Sequence, residues 1–246
     1  MDLNTIHILN GDALLHQLPD HIPGERIVTK ECLVDGDVSG ETLDDLFQTR
    51  ASFIAKNYSG NTEEDYFEEV VPMFAKMLLI EKGSEVNLWF EDDLFCQVNL
   101  WFVCSLLVDK ADICDIFLVR PEVHSKYGFG GIAPEKLPLL LENRIPISEA
   151  HISLFARLWK SYQENDLEAM NDMAKELNPT FPFILDAVQA HTDRVTNNKP
   201  EKIIKEIIEE NDSATFGEVF QKFNEQAFIY GFGDLQVKRI YDSMKK

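Results

Sequence analysis

The sequence is short of positive charge. Among 246 residues, 23 are Lys or Arg and 43 are Asp or Glu, which gives a formal net charge of −20. A chain this acidic repels nucleic-acid backbones and anionic lipid at long range. Its first residues show no signal-peptide pattern, and it has no apolar run long enough to span a bilayer. We therefore expect a cytoplasmic protein with no nucleic-acid or membrane partner.

Several motifs of known chemistry are also absent. There is no GxGxxG and no GxxxxGK followed by Ser or Thr, so the sequence has neither a dinucleotide fingerprint nor a P-loop. No Ser or Cys stands beside a His in a nucleophile-elbow sequence. The cysteines form no CxxC pair, which disfavours a zinc site and favours reduced thiols packed as small apolar side chains. They are Cys32, Cys96, Cys104 and Cys114.

What the chain does contain is typical of a globular protein, with 45% apolar and 27% charged residues. Four short apolar runs, at 5–9, 25–33, 85–90 and 113–119, alternate with helical patterns. Parallel strands need covering crossover connections, so this alternation favours a parallel sheet. We predict a Rossmann-like α/β domain over residues 1–121.

After Pro121 the pattern changes to helices alone. A glycine-rich loop at 128–131 is followed by helical periodicity, and no further convincing strand appears. We expect an all-helical domain over residues 122–246 that ends, at 197–246, in a trihelical unit resembling a helix-turn-helix or winged helix. That unit is near neutral and lacks the basic face of a DNA reader.

Acidic residues follow the predicted strands. Asp12 comes after the first strand and Glu31 lies near the end of the second, whereas Glu91, Asp92 and Asp93 follow the third. Ligands of open α/β sheets bind outside the carboxyl ends of the strands, so we predict that these acids converge in one cleft. Asp12, Glu31, Asp92 and Asp93 are the candidate catalytic residues, for acid–base work or Mg²⁺ contacts. Each of them also suits a helix N-cap, which is a purely structural role.

Four further residues are candidates for ligand binding. Asn10 and Gly11 form the turn after the first strand, where a glycine lets a ligand approach the backbone. Gln97 lies four residues after Asp93, on the same face of a predicted helix. Arg50 is a rare positive charge in the acidic half, where it either binds an anionic group, offsets the carboxylates or lies at the surface.

Three motifs carry a resemblance to a known family. They are IHILNGDAL, then IPGE, then LWFEDDLFCQVNLW, in that order. Together they resemble the bacterial family called domain of unknown function 1835, over residues 5–121 approximately. Near the C-terminus, FGEVF at 216–220 and the segment 231–240 resemble the companion domain of unknown function 3658.

The resemblance implies an architecture and leaves the activity open, since the family has no established activity. Many relatives have a His where this chain has Asp92, which weakens a fixed acid–base role at that position. The family's motif positions correspond to Asn10, Gly11, Asp12, Glu31, Asp92, Asp93 and Gln97.

Two hypotheses about function follow. The first is an enzyme, a transferase or hydrolase, that acts on a small phosphorylated or nucleotide-like ligand at the carboxyl ends of the strands. The second is a non-catalytic module that senses a ligand or contacts a partner protein. The sequence does not name a cofactor beyond the Mg²⁺ expectation, and it does not decide the oligomeric state.

Overall fold

The computed structural model describes residues 4–121, 128–211 and 213–245. Its strands are β1 (Thr5–Asn10), β2 (Glu25–Thr29), β3 (Glu85–Trp89), β4 (Asp115–Val119) and β5 (Ile145–Pro146). Within the described residues they form one sheet in the order β2-β1-β3-β4-β5. The first four strands run parallel, and β5 is antiparallel to β4.

Both faces of the sheet are covered. Ile6 and Ile8 of β1 enter the larger apolar core, whereas Leu9 enters a smaller core together with Trp89 of β3. In the sheet, Ile8 lies between Ile27 of β2 and Leu88 of β3. Burial on both faces explains why these strands are apolar at nearly every position, as in other parallel sheets.

The helices of the first half connect the strands and cover the sheet. The chain from Glu63 to Leu78 forms three consecutive helical pieces, with a π-helical turn just before Pro72. Proline has no backbone N–H to donate, which interrupts regular α-helical bonding at this point. The elements are α1 (Asp12–Gln17), α2 (Leu43–Asn57), α3 (Glu63–Asp65), the π-helical turn (Tyr66–Val70), α4 (Val71–Leu78) and α5 (Leu94–Leu106).

Helix α5 is buried on nearly all sides. Trp101, Val103 and Cys104 are fully inaccessible, and so is the polar Gln97. A helix that is apolar all round must be covered all round. One side of α5 is covered by the first half of the chain, and the opposite side by a long helix of the second half, residues 149–164.

The second half of the chain is helical and continues the same core. Its helices pack on one another in sequence order, and the last three form a compact unit. They are α6 (Leu137–Glu142), α7 (Glu149–Glu164), α8 (Leu167–Leu177), α9 (Phe183–Asn197), α10 (Lys199–Glu210), α11 (Phe216–Ala227) and α12 (Asp234–Met244). Short 3-10 turns also occur at Val108–Lys110, Gly128–Gly131, Pro134–Lys136 and Phe228–Tyr230.

The predicted fold class is confirmed: a mostly parallel α/β sheet is followed by helices that end in a three-helix unit. One detail differs, because β5 adds a strand after Pro121, where the sequence predicted none. It is two residues long, pairs Ile145 with Leu118 and contains Pro146 at the edge of the sheet. A strand this short shows no alternation, and proline is tolerated at a sheet edge.

Within the described residues, no helix is both long enough and apolar enough to cross a membrane.

A buried ion pair holds the chain that follows β2. Arg50 of α2 is fully inaccessible and binds both carboxylate oxygens of Glu31 at 2.9 Å. Its remaining N–H groups donate to the carbonyl oxygens of Cys32, Asp35 and Asp37. Glu31 also accepts from the Tyr66 hydroxyl at 2.7 Å and from the Cys32 amide at 2.6 Å. The pair therefore ties α2 and the π-helical turn to the loop after β2.

Replacing Glu31 by Gln should destabilise the fold by about 3–5 kcal/mol, because it leaves the Arg50 charge buried without its partner. The matched control is Glu164→Gln, which removes an exposed partner of Lys160 at 3.3 Å. That change should lower the free energy of unfolding by less than about 1 kcal/mol. Urea denaturation of both variants measures the difference, and similar losses would show that the buried pair has no special role.

Candidate functional site

The strand order creates a crevice between β1 and β3. From β1 the chain continues to one edge of the sheet through β2, and from β3 it continues to the other through β4. Such a switch point is where open α/β sheets bind ligands. A cavity of about 410 Å³ opens there, which we call the central cavity. Asn10 lies on its β1 side, and Glu91, Asp92, Asp93 and Cys96 lie on its β3 side.

The second half of the chain forms the other wall of the central cavity. Helix α9 contributes Phe183 and Asp186, and α11 contributes Asn224. The turn between α11 and α12 adds further lining residues, and the 3-10 turn Gly128–Gly131 closes one side. The remaining lining residues are Phe95, Pro121, Gly128, Phe129, Phe228, Ile229, Gly231 and Phe232.

Each acid after β3 has a different environment. Glu91 Oε1 accepts a hydrogen bond from the Phe129 amide at 2.7 Å. Asp92 forms a two-point ion pair with Arg120, which neutralises its charge. Asp93 is the N-cap of α5, and its Oδ1 accepts from the Cys96 amide at 3.0 Å. Of these three acids, Glu91 and Asp93 have no ion pair with any described residue.

Burial controls the acidity of this group. It raises the pKa of Glu91 to about 7, with smaller contributions from the neighbouring charges of Asp93 and Asp92, against the opposing effect of the Phe129 amide. Burial also raises the pKa of Asp93, and the pKa of the Cys96 thiol rises well above its usual value for the same reason. Glu91 is therefore poised to gain or lose a proton near neutral pH, whereas Cys96 stays a thiol.

Two glycines bring backbone directly against the two carboxylates. A Cβ at Gly128 would overlap the Glu91 carboxylate, and one at Gly231 would overlap the Asp93 carboxylate. Both residues also have positive φ angles, of 50° and 65°, which glycine adopts without strain. The loop 128–131 and the turn before α12 can approach the acids this closely only because these positions have no side chain.

The structure brings together part of the predicted site. Asn10, Asp92 and Asp93 line the central cavity. Gln97 lies behind it, where its Nε2 donates to the Glu91 carbonyl oxygen at 2.6 Å. Its Oε1 is buried and has no hydrogen-bond partner among the described residues. Gln97 therefore supports the backbone of Glu91 and does not line the cavity.

Gly11 and Asp12 line a neighbouring cavity of about 300 Å³ on the β2 side of the rim, which we call the side cavity. Lys30 also lines it and lies 3.7 Å from Asp12. Asn10 and Phe95 line both cavities, so the two adjoin. Asp12 therefore lies in the side cavity, next to the central cavity that the acids after β3 line.

Glu31 lines the side cavity with Asp12, whereas Asp93 lines the central cavity, so the structure does not bring the three acids into one cleft. Strand β2 ends at Thr29 and not at Leu33 as expected, so the chain turns before Glu31. That turn directs the Glu31 carboxylate inward, onto Arg50. The five N–H groups of Arg50 all have protein acceptors, which leaves none for a ligand.

Sequence reasoning ranked Asp92 and Asp93 above Glu91, and it did not find Asp186 or Asn224. A signal for Glu91 existed, because it follows the last buried residue after β3, Phe90, at the rim where ligands bind. Asp186 and Asn224 lie on helices far away in sequence and carry no motif. Only the packing of α9 and α11 over the rim brings them to the cavity.

One group of side chains has the spacing of a metal-ligand set. Potential ligand atoms of Glu91, Asp93 and Cys96 all lie within 4.8 Å of one another. A thiol does not suit Mg²⁺, which prefers oxygen ligands, so this group differs from the magnesium expectation. Among the described residues it is the one group of three or more such side chains.

Comparisons with known proteins return nothing that resembles the chain: no protein-family model, no curated protein and no solved structure matches it. The resemblance to domains of unknown function 1835 and 3658 therefore stays an expectation drawn from motifs. Function has to be argued from the site itself.

Replacing Glu91 by Gln should change how stability depends on pH. The folded protein holds the Glu91 proton more tightly than the unfolded chain, since the pKa rises from 4.5 to about 7. Ionisation of Glu91 therefore destabilises the wild type as the pH rises through this range. Relative to wild type, Glu91→Gln should gain about 1–3 kcal/mol of stability between roughly pH 4 and pH 8.5. Urea denaturation at several pH values measures this difference. If the free energies of unfolding of the two proteins changed with pH in parallel, the raised pKa of Glu91 would be contradicted.

Replacing Gly231 by Ala should disrupt the contact with Asp93. The matched control is Gly60→Ala, because Gly60 also has a positive φ, of 90°, but open space around its Cβ position. Both changes should lower the free energy of unfolding by about 1–2 kcal/mol through backbone strain. Gly231→Ala should lose about 1–3 kcal/mol more, from overlap with Asp93. Equal losses in thermal denaturation would show that the turn does not press on this carboxylate.

Proposed function

We propose that the central cavity binds a small molecule that carries an amino group, and that Glu91 exchanges a proton with it. Proton exchange by Glu91 supports hydrolysis or group transfer as the class of reaction. The observation that carries the proposal is the pair of carboxylates, Glu91 and Asp93, at the crevice between β1 and β3. Among the described residues neither has a positively charged partner, so a ligand that donates hydrogen bonds supplies what they lack.

The charge of the cavity lining supports this ligand class. Four carboxylates line the central cavity, from Glu91, Asp92, Asp93 and Asp186, and among the described residues no Lys, Arg or His lines it. Only Asp92 has a guanidinium partner, Arg120. An amine is therefore favoured over a phosphate in this cavity. Any phosphate on the same molecule would have to reach the side cavity, whose described lining contains Lys30.

The position of Glu91 supports a proton-transfer role. A general acid or base works best when its pKa lies near the working pH. Burial brings the pKa of Glu91 to about 7, and Gln97 and Phe129 hold the residue from two sides through its carbonyl and its carboxylate. Cys96 is less suited to act as a nucleophile, because burial keeps its thiol protonated.

A second candidate, ligand sensing without catalysis, is favoured by the contacts of α12. Arg239 forms an ion pair with Asp35, and Gln236 donates to the Tyr58 hydroxyl at 2.7 Å. These contacts join the last helix to the first half of the chain, beside a cavity that both halves line. A ligand that bound only the joined arrangement would stabilise it, and a partner of the three-helix unit would then detect the ligand.

The ligand class is tested with benzylamine and the matched benzyl alcohol. Benzylamine should raise the melting temperature in proportion to the logarithm of its concentration above Kd, and the alcohol should not. Glu91→Gln should weaken benzylamine binding at least about tenfold, since a charged hydrogen bond is lost. The exposed Glu142→Gln serves as the control and should bind like wild type.

The proposal of amine binding fails if the alcohol binds as well as the amine, or if neither binds. Catalysis is then separated from sensing by following product formation from esters, amides and phosphoesters of amino alcohols. Turnover that is lost in Glu91→Gln supports the enzyme. Binding without turnover, accompanied by protection of residues 199–244 from proteolysis, supports the sensor.

A further inference from the structure

We infer that the ligand of the central cavity is a planar amino-substituted heterocycle, which accepts a hydrogen bond from the Asn10 side chain through a ring nitrogen and donates its amino hydrogens to Glu91 and Asp93. This inference rests on the proposed function and names the class of substrate. It also assigns Asn10 as the residue that distinguishes a heterocycle from a simple amine.

The orientation of the Asn10 amide follows from a chain of hydrogen bonds that begins at a backbone group. The Leu33 amide can only donate, and it donates to Asn99 Oδ1 at 3.2 Å. Asn99 Nδ2 must then be the donor to the Glu31 carbonyl oxygen, at 2.8 Å, and to Asn10 Oδ1, at 2.9 Å. The Asn10 oxygen is therefore turned inward, away from the ligand, and its Nδ2 is on the side of Cys96.

Asn10 Nδ2 has a hydrogen to spare. One of its two hydrogens points to Cys96 Sγ, at 2.9 Å, and no other acceptor contacts it among the described residues. Since Asn10 lines the central cavity, the second hydrogen is available to an acceptor on a ligand. The matching oxygen is turned inward, where it accepts from Asn99 and lies 3.2 Å from the Thr29 hydroxyl oxygen.

This donor and the carboxylate acceptors lie around the same sulfur atom. Cys96 Sγ is 2.9 Å from Asn10 Nδ2 and 4.0 Å from Glu91 Oε2, and Asp93 belongs to the same cluster. A ligand edge that reaches all three needs an acceptor next to a group with two donor hydrogens. A ring nitrogen beside an exocyclic amino group has this arrangement, whereas an alkylammonium group has no acceptor and a methyl group in place of the amino group has no donor.

The walls of the central cavity suit a flat ring. Phe129 comes from the 3-10 turn, Phe183 from α9, and Phe228 and Phe232 from the chain around the α11–α12 turn. Arg120 stacks over the Phe183 ring at 4.6 Å, which holds that ring in place. Aromatic side chains bind planar π-systems by stacking or edge contacts, and every heterocycle has such a face.

The inference is tested with adenine and 6-methylpurine, which differ in an amino group against a methyl group. Calorimetry on the full chain at neutral pH should show adenine binding at least about tenfold more tightly, because the methyl group donates no hydrogen bond to the two carboxylates. This comparison uses only the wild-type protein, so it does not depend on a variant that folds poorly. Equal binding of the two purines would overturn the inference.

The role of Asn10 is tested with Asn10→Asp, which keeps the shape but replaces the free N–H by an acceptor. Adenine binding should fall at least about tenfold, whereas benzylamine, whose ammonium group gains a nearby carboxylate, should bind at least as tightly as before. Asn143→Asp, at an exposed amide, is the control for the added charge. An equal loss for adenine and benzylamine would contradict a heterocycle-reading role for Asn10.

Different outcomes overturn amine binding and heterocycle binding. If benzylamine binds and adenine shows no preference over 6-methylpurine, the amine-binding proposal stands and the heterocycle inference is wrong. If neither benzylamine nor adenine binds, both are wrong.

Discussion

The burial of helix α5 is the constraint on which the rest of the structure depends. This helix is apolar on all sides, so the first half of the chain cannot cover it alone. Helix α7 covers the side of α5 that the first half leaves open. Helix α8 packs on α7 and α9 packs on α8, and this packing places the second half of the chain over the rim of the sheet. The central cavity is a consequence of that packing, because one wall is the rim and the other is the covering helices.

The same burial explains the electrostatics of the site. Asp93 caps α5 and Glu91 precedes it, so both carboxylates are covered when α5 is covered. Elsewhere the protein compensates its buried acids: Glu31 has Arg50, and Asp92 has Arg120. Glu91 and Asp93 have no such partner in the part of the chain that the structure describes, and the cost of burying them appears as their raised pKa values. Proteins retain such costs mainly where they serve a function, which is why we assign the site to this pair.

The polar residues behind the cavity have a supporting role. Gln97 holds the backbone of Glu91, and Asn99 sets the orientation of Asn10. Both lie on α5 and are fully or almost fully buried. A single helix therefore supplies the Cys96 backbone N–H that binds the Asp93 carboxylate, the Gln97 amide that supports Glu91 and the Asn99 amide that orients Asn10. Because all three groups belong to α5, any shift of this helix within the core would change the geometry of the site.

The sequence by itself determined the strands, most helices and the rim at which the acids lie, because apolar periodicity, turns and caps are local properties. It also selected Asn10, Asp92 and Asp93, since strand ends are readable from the chain. Only the tertiary structure decided that Glu31 and Arg50 form a buried pair, that Glu91 is the acid with a pKa near neutrality, and that Asp186 and Asn224 reach the cavity. Those outcomes depend on which distant segments meet and how much water they exclude, and no local pattern encodes either.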